Sequence, residues 1–499
     1  MHSSTLAAIL GLAGTGQALM KPIRAQFPGD KAATGTGTLA YFDQLIDHRQ
    51  PELGTFKQGY YYNTDYYKVP GSPISMEAPT ERELKPKDVA LTNSSMTGFI
   101  AQNVGGAAVA IEHRYFGEST PVNHSDYSAD TLQHLTLDNS LQDLVYFARN
   151  VKLPFDTEGL SHPDKAPWTL AGCSYPGAAS AWTEHLYPGT YWAYEAGSAV
   201  VEARSDLWTW YKGIEQAMPR NCSADWKRII GHIDNVYMNG SEDEKIQLRT
   251  NLGDDKNTTY PISAQGASSW LSYWQGQQYN DGYSPFFQWC DYIEGQYPDT
   301  QELYPGAEGV GLDKALENFF HAVKSLPPFP GSSLGDDVDP WLWFLCNEPF
   351  EWWQDDRPGE PFGMVTSYAT REYLIDQVCG TSFPNQTNYG LASGKGAEGV
   401  NQRTGGWDQT NTTRLVWVNA DQDPWLYATV SSPDRPGGPL ESTDEAPVYM
   451  LRGAAHCNDF VTDNYWANED ARNMFDGVAT YMQKWVAEFY EEKNITRPV

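Results

Sequence analysis

Beyond its first 20 positions the chain has no run of about 18 or more apolar residues, so nothing later in it reads as a membrane span. Basic residues are scarce: 34 Lys and Arg stand against 64 Asp and Glu, a formal charge of -30. Such a surface repels phosphate backbones and anionic lipid, which excludes nucleic acid and membrane as partners. Cysteine is thin as well. Six Cys in 499 residues, with no Cys-x-x-Cys pair, rule out a disulfide-built scaffold and give no zinc or thioredoxin-like signature. No metal and no other cofactor is called for, and disulfide staples are the default reading of most of the six. Repeats and low-complexity tracts are absent, and after residue 321 the only histidine is His456.

What is present is material for a large packed core. Hydrophobic residues make up 40% and aromatic ones 13%, with 18 Trp and 30 Tyr, so disorder is excluded and one large α/β domain with an insertion accounts for the length. The acidic excess fits either an ordinary solvated surface or a protein that works in acid, where protonated carboxylates repel one another less. Residues 5–18 form a short apolar stretch ending in small residues, which predicts a signal peptide over 1–20, followed by a leader or short propeptide over 21–40. Sequons at Asn93, Asn123, Asn221, Asn239, Asn257, Asn385, Asn411 and Asn494 add to a secretory reading, with a vacuolar or lysosomal destination as the alternative.

Aromatic-rich text at 41–48 and 55–62 predicts two early antiparallel strands. An apolar helical pattern at 99–104 runs into the buried strand 106–112, and leucines at near-helical spacing over 132–148 precede a strand at 168–171. From about 191 to 405 the chain turns Trp- and Tyr-rich and Gly/Pro-punctuated, with amphipathic pieces at 227–236 and 312–323 that read as a mostly helical insertion. Strand-like text returns at 413–419 and 446–451, and 470–490 is an amphipathic terminal helix. Strands alternating with helices argue for a parallel sheet. The expected division is therefore 41–190 and 406–499 as two parts of one sheet domain, with 191–405 as a cap between them.

Ser174 ends the apolar strand and precedes a helix, the context in which a hydrolase exposes a nucleophilic hydroxyl on a tight strand-turn-helix elbow. Gly172 stands two before it, but Pro176 stands two after it, with the glycine displaced to Gly177. A Ser hydroxyl needs a His to take its proton and a carboxylate to hold that His, in the chain order Ser, acid, His. His456 lies just past the strand at 446–451, and the loop after the strand before it offers both Asp421 and Asp423. The backbone N–H of Tyr175, the residue after the nucleophile, is the expected first oxyanion donor.

These segments resemble the family of serine peptidases that holds lysosomal Pro-Xaa carboxypeptidase, dipeptidyl peptidase II and the fungal acid prolyl endopeptidases, and within it the fungal branch. The family's elbow appears as Gly172-Cys-Ser-Tyr-Pro-Gly, its Glu-His-Arg-Tyr-x-Gly-x-Ser at 112–119, its Asp-Pro-Trp at 423–425 and its Gly-Ala-x-His at 453–456. Its Gln-x-x-Asp-His and Thr-Phe-x-Gln stretches stand at 44–48 and 55–58. The resemblance implies an α/β-hydrolase sheet with an inserted, mostly helical cap, and a triad of Ser174, Asp423 and His456. Asp421 is then a turn residue or a supporting partner.

The implied activity is hydrolysis of a peptide or protein substrate next to proline, in acid, by a monomer or homodimer; the proline preference rests on the resemblance alone. Where relatives carry a glycine-rich Gly-x-Glu-Gly loop, this chain reads Ser75-Met-Glu-Ala-Pro-Thr-Glu, which makes Glu81 a candidate substrate contact. Glu348, in the cap, is a second. His113, Arg114 and Glu118 are expected to brace a loop through buried ion pairs more than to react. The resemblance pairs Cys222 with Cys290 and Cys346 with Cys379, one of three pairings of four. Cys173 and Cys457 either bond to each other or stay free. A carboxylesterase or lipase on the same fold, and a catalytically inactive binding protein, are the competing readings.

Overall fold

The computed structural model describes residues 37–86, 89–122, 128–255, 257–279, 281–298, 300, 303–326, 338–359, 361–383, 387–409 and 411–498. The expected signal peptide, most of the expected leader, and the sequons at Asn123 and Asn385 lie outside them. Eight strands form one sheet: β1 (Thr38–Leu45), β2 (Thr55–Asn63), β3 (Ile74–Glu77), β4 (Ala107–Ile111), β5 (Trp168–Cys173), β6 (Ala193–Gly197), β7 (Leu415–Ala420) and β8 (Val448–Leu451). Their spatial order is β1-β2-β4-β3-β5-β6-β7-β8. β2 runs antiparallel to both neighbours, and every other pairing is parallel.

The central strands are buried on both faces, as parallel strands under helices must be. Trp168 and Leu170 of β5, Tyr194 and Ala196 of β6, and Leu415 and Trp417 of β7 join one core with helices α2 (Leu137–Asn150) and α3 (Tyr175–Leu186). Alternate residues, Ala171, Ala193, Val416 and Val418, join a second core. Its other wall is Met96 and Ile100 of α1 (Met96–Val104), with Met474, Phe475, Val478 and Trp485 of the C-terminal helix Glu469–Glu492. Side-chain oxygens of Ser95, Thr136 and Asn468 accept the amides of Gly98, Asn139 and Ala471, so each of these helices starts at a residue that satisfies an orphan N–H.

Chain order and spatial order part company at β3, which sits between β4 and β5. The connections leaving β3 and β5 therefore diverge, opening a crevice at their carboxyl ends, where ligands bind in open α/β sheets. The Ala78 N–H donates to the Ala171 carbonyl across this gap at 2.8 Å. The loop carrying Glu81 and the turn carrying Ser174 are thus neighbours by topology.

Between β6 and β7 the described residues contain helices and no strand, from Thr209–Ala217 through Arg220–Asn239 to Ala397–Thr404. Helix Arg220–Asn239 buries Cys222, Trp226, Ile230, Ile233 and Tyr237 along one stripe. Disulfides Cys222–Cys290 and Cys346–Cys379 lie within this segment, in the pairing the resemblance implies.

Two expected boundaries shift. β6 falls beyond residue 190, so the sheet continues to Gly197 before the helices begin, and β1 starts at Thr38, inside the span expected to be leader. β3 and β6 are short and carry no alternation to announce them. No helix among the described residues is long and apolar enough to cross a membrane.

Candidate active site

Ser174 links β5 to α3 with φ 69° and ψ -129°, a left-handed conformation that costs a non-glycine residue energy and lifts its hydroxyl out of the turn. The neighbouring glycines are there for space. A Cβ on Gly172 would lie 2.3 Å from the Pro176 carbonyl oxygen, and one on Gly177 would lie 2.5 Å from that of Gly197. The close backbone approach thus falls at position 177. Pro176 occupies the first turn of α3, where its missing N–H leaves no helical bond unmade.

His456 follows β8, and its Nδ1 lies 2.8 Å from Oδ2 of Asp423, both side chains being buried. Asp423 follows β7 and caps the short helical turn Pro424–Ala428, its Oδ1 accepting the Trp425 amide at 2.8 Å. That contact fixes the carboxylate toward the imidazole. Asp421 does a different job: its Oδ1 accepts the Gly453 amide at 2.7 Å, tying the β7 loop to the β8 loop.

Cys173 and Cys457 are bonded to each other, so the residue before Ser174 is joined to the residue after His456. Both sulfurs and a ring nitrogen of His456 lie within 4.8 Å of one another, but the disulfide leaves no thiolate to offer a metal. The Cys457 amide also donates to Ser198 Oγ at 3.2 Å. Ser174 Oγ and His456 Nε2 are both buried and bonded to no protein atom, which leaves one hydroxyl and one ring nitrogen uncommitted.

The Tyr175 side chain docks the elbow against the inserted helices. Its ring meets Trp341, Phe344 and Phe350 at centroid distances of 5.6, 5.5 and 6.4 Å. Its hydroxyl lies 2.9 Å from His113 Nε2, while His113 Nδ1 lies 2.9 Å from the Arg114 carbonyl oxygen. The Nδ1–H therefore donates to that carbonyl, and the neutral ring accepts the Tyr175 hydroxyl proton. Burial pushes His113 down to about 4 and Tyr175 well above the usual phenol range.

Arg114 is buried in a network around Asp143, with Nε 2.7 Å from Oδ2, and its other donors reach the carbonyls of Ile46, His134 and Leu45. His48 Nε2 lies 2.7 Å from Asp143 Oδ1. Burial works to raise Asp143, but Arg114 and His48 outweigh it and hold the carboxyl below its ordinary value. Glu118, grouped with these residues on sequence, is exposed and joins none of this.

Glu81 and Glu348 differ sharply. One oxygen of Glu81 is buried without a partner; burial raises its carboxyl to about 7, against the pull of its own backbone amide, Arg82 and His456. It lies within electrostatic reach of His456 and Tyr175. Glu348 is occupied instead: Oε1 accepts the Leu137 amide at 2.9 Å and Oε2 binds Arg403 at 2.6 Å. It braces the start of α2 against the inserted helices, a structural task where a substrate contact was expected.

Of the sequons, Asn93, Asn239, Asn257, Asn411 and Asn494 are exposed, while Asn221 is half-buried at the start of helix Arg220–Asn239. Sequence reasoning missed two buried acids near the site, Glu195 on β6 and Asp459 just after His456. The only signal was a charged residue interrupting a central strand.

A mostly parallel eight-stranded sheet in this order, with a strained serine at the β5–α3 turn and an Asp–His pair after β7 and β8, defines the α/β-hydrolase class. The sequence matches the family Serine carboxypeptidase S28 over residues 44–259. It is 35% identical to serine protease vicPb of Bipolaris victoriae (strain FI3) over 91% of this chain and 90% of that protein. To serine protease vicPa of the same fungus it is 34% identical over 99% and 97%. A probable extracellular serine carboxypeptidase of Arthroderma benhamiae is 28% identical over 50% of this chain and 34% of its own length. The chain belongs to the serine carboxypeptidase S28 family and is one of its serine peptidases.

Proposed function

We propose that this chain is a secreted peptidase that hydrolyses peptide bonds next to proline in acid, with Ser174 as nucleophile, His456 as general base and acid, and Asp423 as the residue that orients the imidazole. The observation that carries the reading is the buried Asp423–His456 pair, covalently tied beside a strained Ser174 whose hydroxyl is uncommitted. Ser174 Oγ attacks the carbonyl carbon as its proton passes to His456 Nε2. The Asp423 carboxylate stabilises the imidazolium through Nδ1–H. The tetrahedral intermediate collapses as His456 returns that proton to the leaving nitrogen. Water, deprotonated by the same Nε2, then releases the acyl group and restores Ser174.

The oxyanion is held by the Tyr175 N–H, with a second donor from the loop after β3. The Ala78 amide is spent on Ala171 and Pro79 has none, which makes Thr80 the next candidate along that loop. Glu81, beside His456, is the candidate substrate contact. Secretion is supported by three disulfides, five exposed sequons and an extracellular relative.

A fluorophosphonate probe labels the wild-type protein and not Ser174→Ala, and products from one long proline-containing peptide fall next to proline. Cleavage by Ser174→Ala at the wild-type rate overturns the assignment. Faster turnover of a short-chain nitrophenyl ester than of a proline-containing chromogenic peptide favours the esterase reading. Lack of labelling favours an inactive binding protein.

A further inference from the structure

Glu195 is fully buried in the middle of β6, between Ala171 of β5 and Val416 of β7. Its carboxyl lies beside that of Asp459, which is also buried. Both oxygens of Glu195 and Oδ2 of Asp459 are buried with no hydrogen-bond partner of good geometry, although the Gly172 backbone also acts on Glu195. Two buried carboxyls side by side, both lacking a donor, cohere only if a proton lies between them. The pair is also built into the backbone: a Cβ on Gly197 would lie 1.8 Å from Asp459 Oδ2, so only glycine admits that carboxyl against the strand.

The two ends of this pair lead to opposite halves of the proposed triad. Glu195 is two residues before Gly197, whose carbonyl accepts the Ser174 amide at 2.9 Å. Asp459 is three residues after His456, on a segment also held by the Cys457 amide on Ser198 Oγ and by Asn458 Nδ2 on the Gln277 carbonyl. We propose that Glu195 and Asp459 are positioning residues that share one proton and thereby pin the His456 loop to the strand behind Ser174, so that the proton's loss at higher pH releases the loop and switches the site off. The proposal rests on His456 being the catalytic base.

Among the described residues no Lys or Arg acts on either carboxyl to take the proton's place. Asp459 is faced by His456 and Asp423. On the Glu195 face of the sheet, Glu77 of β3 lies two strands away, opposite Ala171 and bonded by Thr97. Neighbouring residues on that face from β7, α1 and the C-terminal helix are Val416, Val418, Met96, Ile100, Met474 and Phe475, none of them charged. Burial raises both carboxyls, Asp459 to about 6; the neighbouring Asp459 raises Glu195 further, while Glu195 in turn lowers Asp459. Because the folded chain holds a proton that the unfolded chain releases in the ordinary carboxylate range, this contribution to stability is full in acid and is lost as pH rises.

The test compares the wild-type chain with Glu195→Gln, whose amide donates the same hydrogen bond to the Asp459 carboxylate at every pH. kcat/KM and the thermal unfolding midpoint are measured from pH 4 to 8.5. The expected result is a rise of at least about tenfold in the ratio of activity at pH 8 to that at pH 5, one pH unit of displaced alkaline limb. The unfolding midpoint of the variant should fall less steeply on the alkaline side, and Asp459→Asn should move both readouts the same way. Superimposable profiles overturn the proposal, and so does failure of both variants to fold, since each keeps the shape and the hydrogen bond. The midpoints report on the pair without catalysis, so an active Ser174→Ala would sink the triad and leave this comparison readable.

Discussion

The Nδ1 atom of His456 lies 2.8 Å from Oδ2 of Asp423, and the other oxygen of that carboxylate is held by the Trp425 amide. An amide at position 423 keeps the shape but offers the imidazole the wrong partner. Asp423→Asn is expected to fold with an unchanged unfolding midpoint and to lose about ten-thousand-fold in kcat on a proline-containing peptide. Asp421→Asn, which touches Gly453 and not the imidazole, is expected to lose far less.

The Cys173–Cys457 bond joins the elbow to the His456 loop, whereas Cys346–Cys379 lies within the inserted helices. Replacing either pair by Ser should lower the unfolding free energy by about 2–5 kcal/mol. Only the Cys173→Ser/Cys457→Ser chain is expected to lose kcat as well, measured on folded protein at a temperature where both variants are intact.

Glu348 accepts the Leu137 amide and binds Arg403, so its removal strands a buried N–H. Glu348→Ala should cost about 1–3 kcal/mol of stability in denaturant titration. Its KM for a short peptide should stay within about twofold of wild type, a shift of under 1 kcal/mol. A large KM effect with unchanged stability would restore a substrate role.

Burial holds His113 down to about 4, below the imidazole range near 6.5 of an unfolded chain. Between those values the unfolded chain binds a proton that the folded one refuses. This contribution is therefore full above about 6.5 and is lost as pH falls toward 4, by on the order of 3 kcal/mol. The unfolding midpoint should drop over that window, and His113→Gln should flatten the slope. Glu195 and Asp459 impose the opposite slope from the ordinary carboxylate range upward, so the two contributions oppose each other in mild acid and His113→Gln should unmask the falling one.

Glycine substitutions separate space from propensity. Gly197→Ala must displace the Asp459 carboxyl and should cost about 1–3 kcal/mol. Gly231→Ala, in helix Arg220–Asn239 with nothing within 4 Å of the new methyl, should gain up to about 1 kcal/mol. Thermal unfolding of the two variants reads both signs.

The residues of the site that could be read from sequence are those at strand ends with local marks. Ser174 follows an apolar strand, Asp423 precedes Pro-Trp, and His456 is the only histidine after residue 321. Pro176 looked like a defect in the elbow because the close approach that demands glycine depends on where Gly197 lies, which is a tertiary fact. The same limit hid the role of Glu348, whose partner amide is 211 positions away. β6 was concealed by its own function: a buried Glu195 breaks the apolar run that would have marked it as a central strand. The pairing of Cys173 with Cys457 needed the fold, since sequence places both sulfurs next to the site without saying that they meet.

The Cys173–Cys457 bond spans 284 positions, and every inserted helix and both other disulfides lie between its ends. The insertion thus lies within a closed covalent ring whose clasp adjoins the proposed Ser174 and His456. A protease that nicks the insertion once opens the ring without parting the sheet: the two fragments stay one molecule on a non-reducing gel and separate only after reduction. Clipped protein could therefore keep Ser174 and His456 in register, a tolerance that an unclasped chain of the same fold would lack.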